Sequence, residues 1–152
     1  EANLDFALKE GFNNMILGAG AGERGLNTTK LTDEEIAGIK SHLASKGMHV
    51  SALQVGGNHI AADANKRAKE NHDFVKAIEL AGKLGVRYIG TQSGKDTSKS
   101  FAQQVDEIVR VYNEKYFAAC EKYNVRILWE PWQGGPNIAT SPGKRQPITP
   151  EP

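Results

Sequence analysis

The sequence predicts an α/β fold on a parallel sheet, because short β-branched runs alternate along the chain with longer segments of helical periodicity. All six prolines lie after residue 130, so the preceding part lacks the residue that most often interrupts regular structure. The chain has 152 residues, enough for one domain but fewer than the roughly 250 of a closed (β/α)8 barrel. We therefore expect a single domain over residues 1–152 that ends in an irregular, Pro-rich segment, 131–152.

Capping residues predict where the helices begin and end. Thr32 and Glu35 have the spacing of a capping box, and Gly47 follows the last apolar position of the helix that they begin. Two further helices are predicted over about residues 63–84 and 100–123, closed by Gly85 and Asn124. A partial helix is expected at the start of the chain, over residues 3–9.

Four strands are predicted around these helices, at residues 11–17, 48–55, 86–92 and 125–130. The first strand leads into GAGAGERG, residues 18–25, which lacks the lysine and hydroxyl residue of a phosphate loop and is expected to be a flexible loop. The order is a partial helix and then β-α-β-α-β-α-β. Four parallel strands with alternating helices predict half of a (β/α)8 barrel, that is, a partial TIM barrel.

Composition favours a small-molecule partner. Nineteen Lys and Arg against eighteen Asp and Glu give a net charge of +1 without blocks of like charge, which argues against nucleic-acid and membrane partners. No apolar run reaches the ~18 residues of a membrane span. The single cysteine, Cys120, cannot form an intrachain disulfide, which agrees with a reducing compartment. A cytoplasmic protein is the expectation.

Glu130 is the strongest candidate site residue. It ends the apolar run VRILWE, where the Pro/Gly-rich segment begins. Side chains at the carboxyl ends of parallel strands form the sites of α/β proteins. A carboxylate there can bind a hard divalent cation or remove a proton from a carbon acid. An equally weighted alternative is a surface glutamate paired with a lysine.

Four phrases carry a resemblance to a known family: GFNNMIL, KGMHVSALQV, AIELAGKLGVRYIGTQSG and YNVRILWEPW. Together they resemble the xylose isomerase-like TIM-barrel superfamily, which includes sugar isomerases and epimerases and the AP endonuclease family 2 type. By this resemblance the chain corresponds to barrel strands two to five, an internal part of a longer barrel. Ile16 departs from the pattern, since many members have a glutamate at that position.

The resemblance implies a divalent-metal-dependent isomerase or epimerase of a sugar or sugar-derived hydroxy-carbonyl compound. The reaction would proceed by proton abstraction, with Mn²⁺, Mg²⁺ or Co²⁺ stabilising an enediolate. Glu130 matches the family's metal ligand and base at the end of the fifth strand. The acidic and histidine ligands of later strands have no counterpart here, so we expect the chain to bind metal weakly.

Five further residues are candidate substrate contacts. Asn58 and His59 follow the second predicted strand and could bind a hydroxyl or transfer a proton, although a solvent-exposed loop histidine is the alternative. Gln92 and Lys95 follow the third strand and could hold a hydroxyl or phosphate, or could be ordinary turn residues. Trp132 could stack on the apolar face of a sugar.

Three other functions stay open. Related barrels include endonuclease IV-like hydrolases and dehydroshikimate-type dehydratases. A hydrolase of the first kind would have a histidine where this chain has GTQSG, and it would carry a more basic surface. The third alternative is a non-catalytic half-barrel fragment. Because four parallel strands leave two open edges, such a fragment is expected to self-associate into a homo-oligomer.

Overall fold

The computed structural model describes residues 2–22 and 25–130. The segment 131–152, including Trp132, lies outside the described residues, and the prediction that it is irregular concerns only that segment. The helical elements are α1 Ala2–Lys9, α2 Asp33–Ser45, α3 Ala64–Leu84, α4 Phe101–Val111, a π turn at Tyr112–Tyr116, and α5 Phe117–Tyr123. The strands are β1 Asn14–Gly20, β2 Leu26–Asn27, β3 His49–Gln54, β4 Tyr88–Thr91 and β5 Arg126–Trp129.

The strands form one sheet in the order β2-β1-β3-β4-β5, and every pair is parallel. The partial-barrel prediction is confirmed, and its four strands are β1, β3, β4 and β5. The two-residue β2 is an additional strand that the sequence did not predict.

The glycine-rich segment after the first strand is a correction to the sequence prediction. Gly18 and Gly20 were expected in a flexible loop, but β1 continues through them and pairs with β3 and β2. Glycine has a weak strand propensity, but this pairing gives the backbone N–H and C=O groups of the segment hydrogen-bond partners in the sheet. Gly25 has φ +79, and a Cβ there would lie 2.2 Å from the carbonyl oxygen of Gly18. Only glycine therefore permits this close return of the chain to β1.

The predicted helix caps are present. The Thr32 side chain accepts a hydrogen bond from the Glu35 N–H, and the Glu35 carboxylate accepts one from the Thr32 N–H at 2.8 Å. At the start of α3 the Asp63 side chain accepts a hydrogen bond from the Lys66 N–H at 2.7 Å. Gly85 and Asn124 close α3 and α5 in the left-handed conformation, with φ of 77° and 53°.

The third predicted helix is interrupted by the π turn. The sequence predicted one continuous helix over residues 100–123, whereas α4 and α5 are separated by five residues of wider winding. Both tyrosines of the turn are buried, and Tyr116 is fully so. The inserted turn changes which residues of this long helix face the sheet, and it directs two aromatic side chains into the core.

The core lies between the sheet and the helices. Leu53 and Ile89 occupy the helix-facing side of β3 and β4 and are fully buried against residues of α3 such as Phe74. The opposite face of the sheet is open, because Ile16 is 62% exposed and Leu128 is 48% exposed. Among the helices that the structure describes, none is long and apolar enough to span a membrane.

Candidate functional site

The open face of the sheet carries a row of paired residues near the carboxyl ends of the strands. Gly18 pairs with Gln54, Gln54 with Gly90, and Gly90 with Leu128. Because side chains alternate between the two faces of a strand, the four residues of this row share the open face. Glu130 lies two residues beyond Leu128 and therefore follows the same face.

Three polar side chains converge at this edge. The Glu130 N–H donates to the Thr91 carbonyl oxygen at 2.9 Å, which continues the β4–β5 pairing by one residue. Its carboxylate oxygen Oε2 accepts from Gln92 Nε2 at 3.2 Å and from Gln54 Nε2 at 3.4 Å. The ends of three adjacent strands thus supply one carboxylate and two amides. The structure brings Glu130 and Gln92 together, and it adds Gln54.

Sequence reasoning missed Gln54, and the structure shows what allows it to reach the site. Its side chain lies over β4, where a Cβ on Gly90 would be only 2.3 Å from the Gln54 Oε1 atom. A glycine in the neighbouring strand therefore makes room for the amide. The available signals were a glutamine near the end of the run SALQV and a glycine within the next strand.

Asn58 connects the loops that follow β3 and β4. Its Nδ2 donates to the Lys95 carbonyl oxygen at 2.8 Å, and its Oδ1 accepts from the Lys95 N–H at 3.0 Å. Gly94 has φ +75, and a Cβ there would lie 2.1 Å from Asn58 Oδ1. The Asn58 amide is thus engaged by the protein backbone and holds the loop that carries Lys95, whose residue is half-buried.

His59 lies in the core, which corrects the alternative of a solvent-exposed loop histidine. The residue has 0% exposure, and Phe74 contacts its ring edge to face at a centroid distance of 4.7 Å. Both ring nitrogens are bonded, Nε2 to Thr91 Oγ1 at 2.9 Å and Nδ1 to the Tyr116 hydroxyl at 2.8 Å. The described structure therefore leaves no ring nitrogen of His59 at the open face.

The protonation of His59 follows from these partners. Burial lowers the pKa of His59 to about 4, so the imidazole is neutral at neutral pH. The Tyr116 hydroxyl donates its proton to Asn71 Oδ1 at 2.6 Å, so the proton in the bond to His59 belongs to Nδ1. Nε2 then accepts from the Thr91 hydroxyl. Burial also raises the pKa of Tyr116, which keeps its hydroxyl protonated.

The described residues fit part of a metal site without completing one. Glu130 offers a carboxylate, and the amide groups of Gln54 and Gln92 offer oxygens if they rotate. Hard cations prefer such oxygen ligands but bind about six of them, counting waters. Over residues 2–22 and 25–130, no group of three or more His, Cys, Asp or Glu side chains could hold a metal ion.

The fold is similar to that of several solved proteins. For 3-keto-D-glucoside 4-epimerase from E. coli, the TM-score is 0.68 at 12% identity, covering 87% of this chain and 51% of that one. For D-psicose 3-epimerase from Clostridium cellulolyticum H10 the TM-score is 0.62 at 16% identity, covering 83% of this chain and 44% of that one. For a xylose isomerase-like TIM barrel protein from Mycobacterium smegmatis, solved in complex with magnesium, the TM-score is 0.61 at 14% identity, covering 88% of this chain and 47% of that one.

At these identities the likeness shows the fold alone, and the chain spans about half the length of each of these structures. A sequence comparison with curated proteins finds no match. A family model described as "Xylose isomerase-like TIM barrel" matches residues 4–144, which is most of the chain. This match confirms the resemblance noted from the sequence phrases. The chain therefore belongs to the xylose isomerase-like TIM barrel family.

Proposed function

We propose that the protein takes part in the isomerisation or epimerisation of a sugar or a sugar-derived hydroxy-carbonyl compound. The observation that carries the proposal is the position of Glu130, an exposed carboxylate that accepts hydrogen bonds from the side chains of Gln54 and Gln92 at the carboxyl edge of the sheet. Proteins of the same fold are named as epimerases of D-psicose and of a 3-keto-D-glucoside.

In this proposal Glu130 removes the proton from the carbon next to the substrate carbonyl. Gln54 and Gln92 orient the carboxylate and donate hydrogen bonds to substrate hydroxyls. Lys95 offers a positive charge for an oxygen or phosphate of the substrate. Asn58 and His59, first expected as substrate contacts, are better suited to support, because their polar atoms are bonded within the protein.

We further propose that Glu130 is one ligand of a divalent cation, Mg²⁺, Mn²⁺ or Co²⁺. When bound, such a cation supplies positive charge opposite a developing enediolate. A related fold was solved in complex with magnesium, which supports this choice. The remaining ligands would come from outside the described residues. Trp132 stays a candidate wall of the sugar site.

The proposal is tested with the full-length protein that contains this sequence. A panel of ketoses and keto-glycosides is incubated in D₂O with Mg²⁺, Mn²⁺ or Co²⁺, and NMR measures deuterium incorporation next to the carbonyl. Glu130→Gln is expected to lower turnover by on the order of 10²-fold or more, because general-base catalysis is lost. Glu10→Gln is the matched control, since Glu10 is exposed after α1 and precedes the opposite end of β1. Equal turnover in Glu130→Gln and wild type would contradict the assignment of Glu130.

A second candidate is self-association of the isolated 152-residue chain into a homo-oligomer. Ile16, Leu128 and Trp129 are 62%, 48% and 52% exposed on the sheet, and β5 is an edge strand in the described structure. Exposed apolar side chains on an open sheet favour pairing with another chain. Light scattering of the isolated chain tests this, and a stable monomer at high concentration would contradict it.

A further inference from the structure

We propose that His59 and Tyr116 are positioning residues of the candidate site. They hold Thr91, and through Thr91 they fix the relative placement of Gln92 and Glu130. The consequence for catalysis rests on the function proposed for Glu130. The placement of Thr91 and Glu130 by these hydrogen bonds does not depend on that function.

A continuous chain of hydrogen bonds leads from α3 to the candidate site. Asn71 of α3 accepts from the Tyr116 hydroxyl at 2.6 Å, Tyr116 contacts His59 Nδ1 at 2.8 Å, and His59 Nε2 contacts Thr91 Oγ1 at 2.9 Å. The four residues come from α3, the π turn, the loop after β3 and the end of β4. Each is at least nine-tenths buried. The chain therefore ties four elements together beneath the carboxyl edge of the sheet.

Thr91 links the two faces of the sheet at this edge. Its side chain points to the helix side and contacts His59, while its carbonyl oxygen accepts the Glu130 N–H at 2.9 Å. Gln92 follows it directly in the chain and contacts the Glu130 carboxylate. Thr91 is joined to Gln92 by a peptide bond and to Glu130 by a hydrogen bond. A displacement of Thr91 therefore changes the position of Gln92 relative to Glu130.

Stability alone does not explain a polar network at this place. Replacing both partners of a buried hydrogen bond with apolar groups of the same shape is often nearly neutral, so an apolar core would serve the fold equally well. A fully bonded network instead specifies one arrangement of its members. The π turn supports this interpretation, because such turns are frequent at functional sites and this one contains Tyr116.

Amide hydrogen exchange by NMR on the full-length protein tests the positioning. The Glu130 amide bonds to Thr91 at one end of the β4–β5 pair, and the Arg126 amide bonds to Arg87 at the other end at 2.7 Å. Tyr116→Phe removes the hydroxyl. Its expected effect is about tenfold faster exchange or more at Glu130 with unchanged exchange at Arg126, since the two buried hydrogen bonds of this hydroxyl, to Asn71 and to His59, are lost. No change at Glu130, or equal acceleration at both amides, would overturn the proposal.

Tyr112→Phe is the matched control. Tyr112 lies in the same π turn and is 9% exposed, and its buried hydroxyl has no hydrogen-bond partner among the described residues. We expect both amides to exchange as in the wild type. If Tyr116→Phe does not fold, Thr91→Val and Thr91→Ser replace it. Thr91→Val should accelerate amide exchange at Glu130. Thr91→Ser keeps the hydroxyl and should leave this exchange at the wild-type rate.

Kinetics give the second readout. If the proposed reaction is found, Tyr116→Phe should lower kcat by about tenfold and leave KM within about twofold, because the base is misplaced while the substrate contacts persist. A change in KM alone would contradict positioning of the base. If no such reaction is found, the proposed function fails, and the exchange experiment still decides whether the network holds Thr91 and Glu130 in place.

Discussion

Acidification is expected to destabilise the fold through His59. Burial lowers the pKa of His59 from 6.5 to about 4 in the folded protein. Between these two values the unfolded chain binds a proton that the folded chain does not, so the free energy of unfolding rises with pH across this window. The contribution is fully present above pH 6.5, and it is lost as the pH falls towards about 4.

The difference between 6.5 and about 4 is about 2.5 pKa units, and each unit is worth about 1.4 kcal/mol. The expected loss is therefore about 3 kcal/mol, a large share of the roughly 5–15 kcal/mol that stabilises a typical domain. Carboxylates whose pKa values are lowered by cationic partners, Glu79 and Glu107, add their own losses as the pH falls below their usual value of 4.5. The interval from pH 6.5 to 4.5 consequently isolates His59 best.

Urea unfolding at pH 7, 6, 5 and 4.5 measures the effect. The wild type should lose about 1 kcal/mol per pH unit over the lower part of this range. His59→Gln should be less stable at pH 7 but should have a smaller pH slope, because it cannot take up the proton. His72→Gln, which changes an exposed histidine of α3, should keep the wild-type slope. A His59→Gln variant with the wild-type slope, or an NMR titration of the His59 ring near pH 6.5, would refute the reasoning.

Three further predictions concern the supports of the fold and the site. Gly90→Ala should change the free energy of unfolding by less than about 1 kcal/mol, because the clashing Gln54 amide can rotate away. Its effect on turnover should equal that of Gln54→Ala. In a double-mutant cycle the two effects should not add. Gly94→Ala should cost about 2 kcal/mol or more in urea unfolding, because φ is +75° and the new Cβ would meet Asn58; an unchanged midpoint would contradict this. Thr32→Ala should cost about 1 kcal/mol through the lost cap, as measured by thermal or urea unfolding, and retention of full stability would contradict the assigned cap.

The helices were predictable because their ends are decided by neighbouring residues. The bond from Thr32 to Glu35 spans three positions, and the left-handed Gly85 and Asn124 each close the helix that immediately precedes them. The alternation of helices and strands then predicted a parallel sheet, because parallel strands require crossover connections. The family model and the strand order confirm this level of the prediction.

The features that were not predicted depend on residues far apart in the sequence. Gly18 and Gly20 are poor strand residues by themselves, and they become strand because β3 and β2 pair with them. His59 stands in the polar segment GGNHI, which is typical of a loop. It is buried because Tyr116, 57 positions later, and Thr91, 32 positions later, satisfy its two nitrogens. No local pattern contains that information.

The candidate site divides along the same line. The position of Glu130 directly after β5 was predictable because it depends on one strand and the residue after it. Gln54 requires two conditions that must hold together: the parallel register that sets it beside Gly90, and the absence of a side chain on Gly90. The sequence contains both residues, but only the register shows that they are neighbours. The amides around the carboxylate are therefore a product of strand pairing, and a change at Gly90, a residue without any polar side chain, is expected to alter the chemistry of the site.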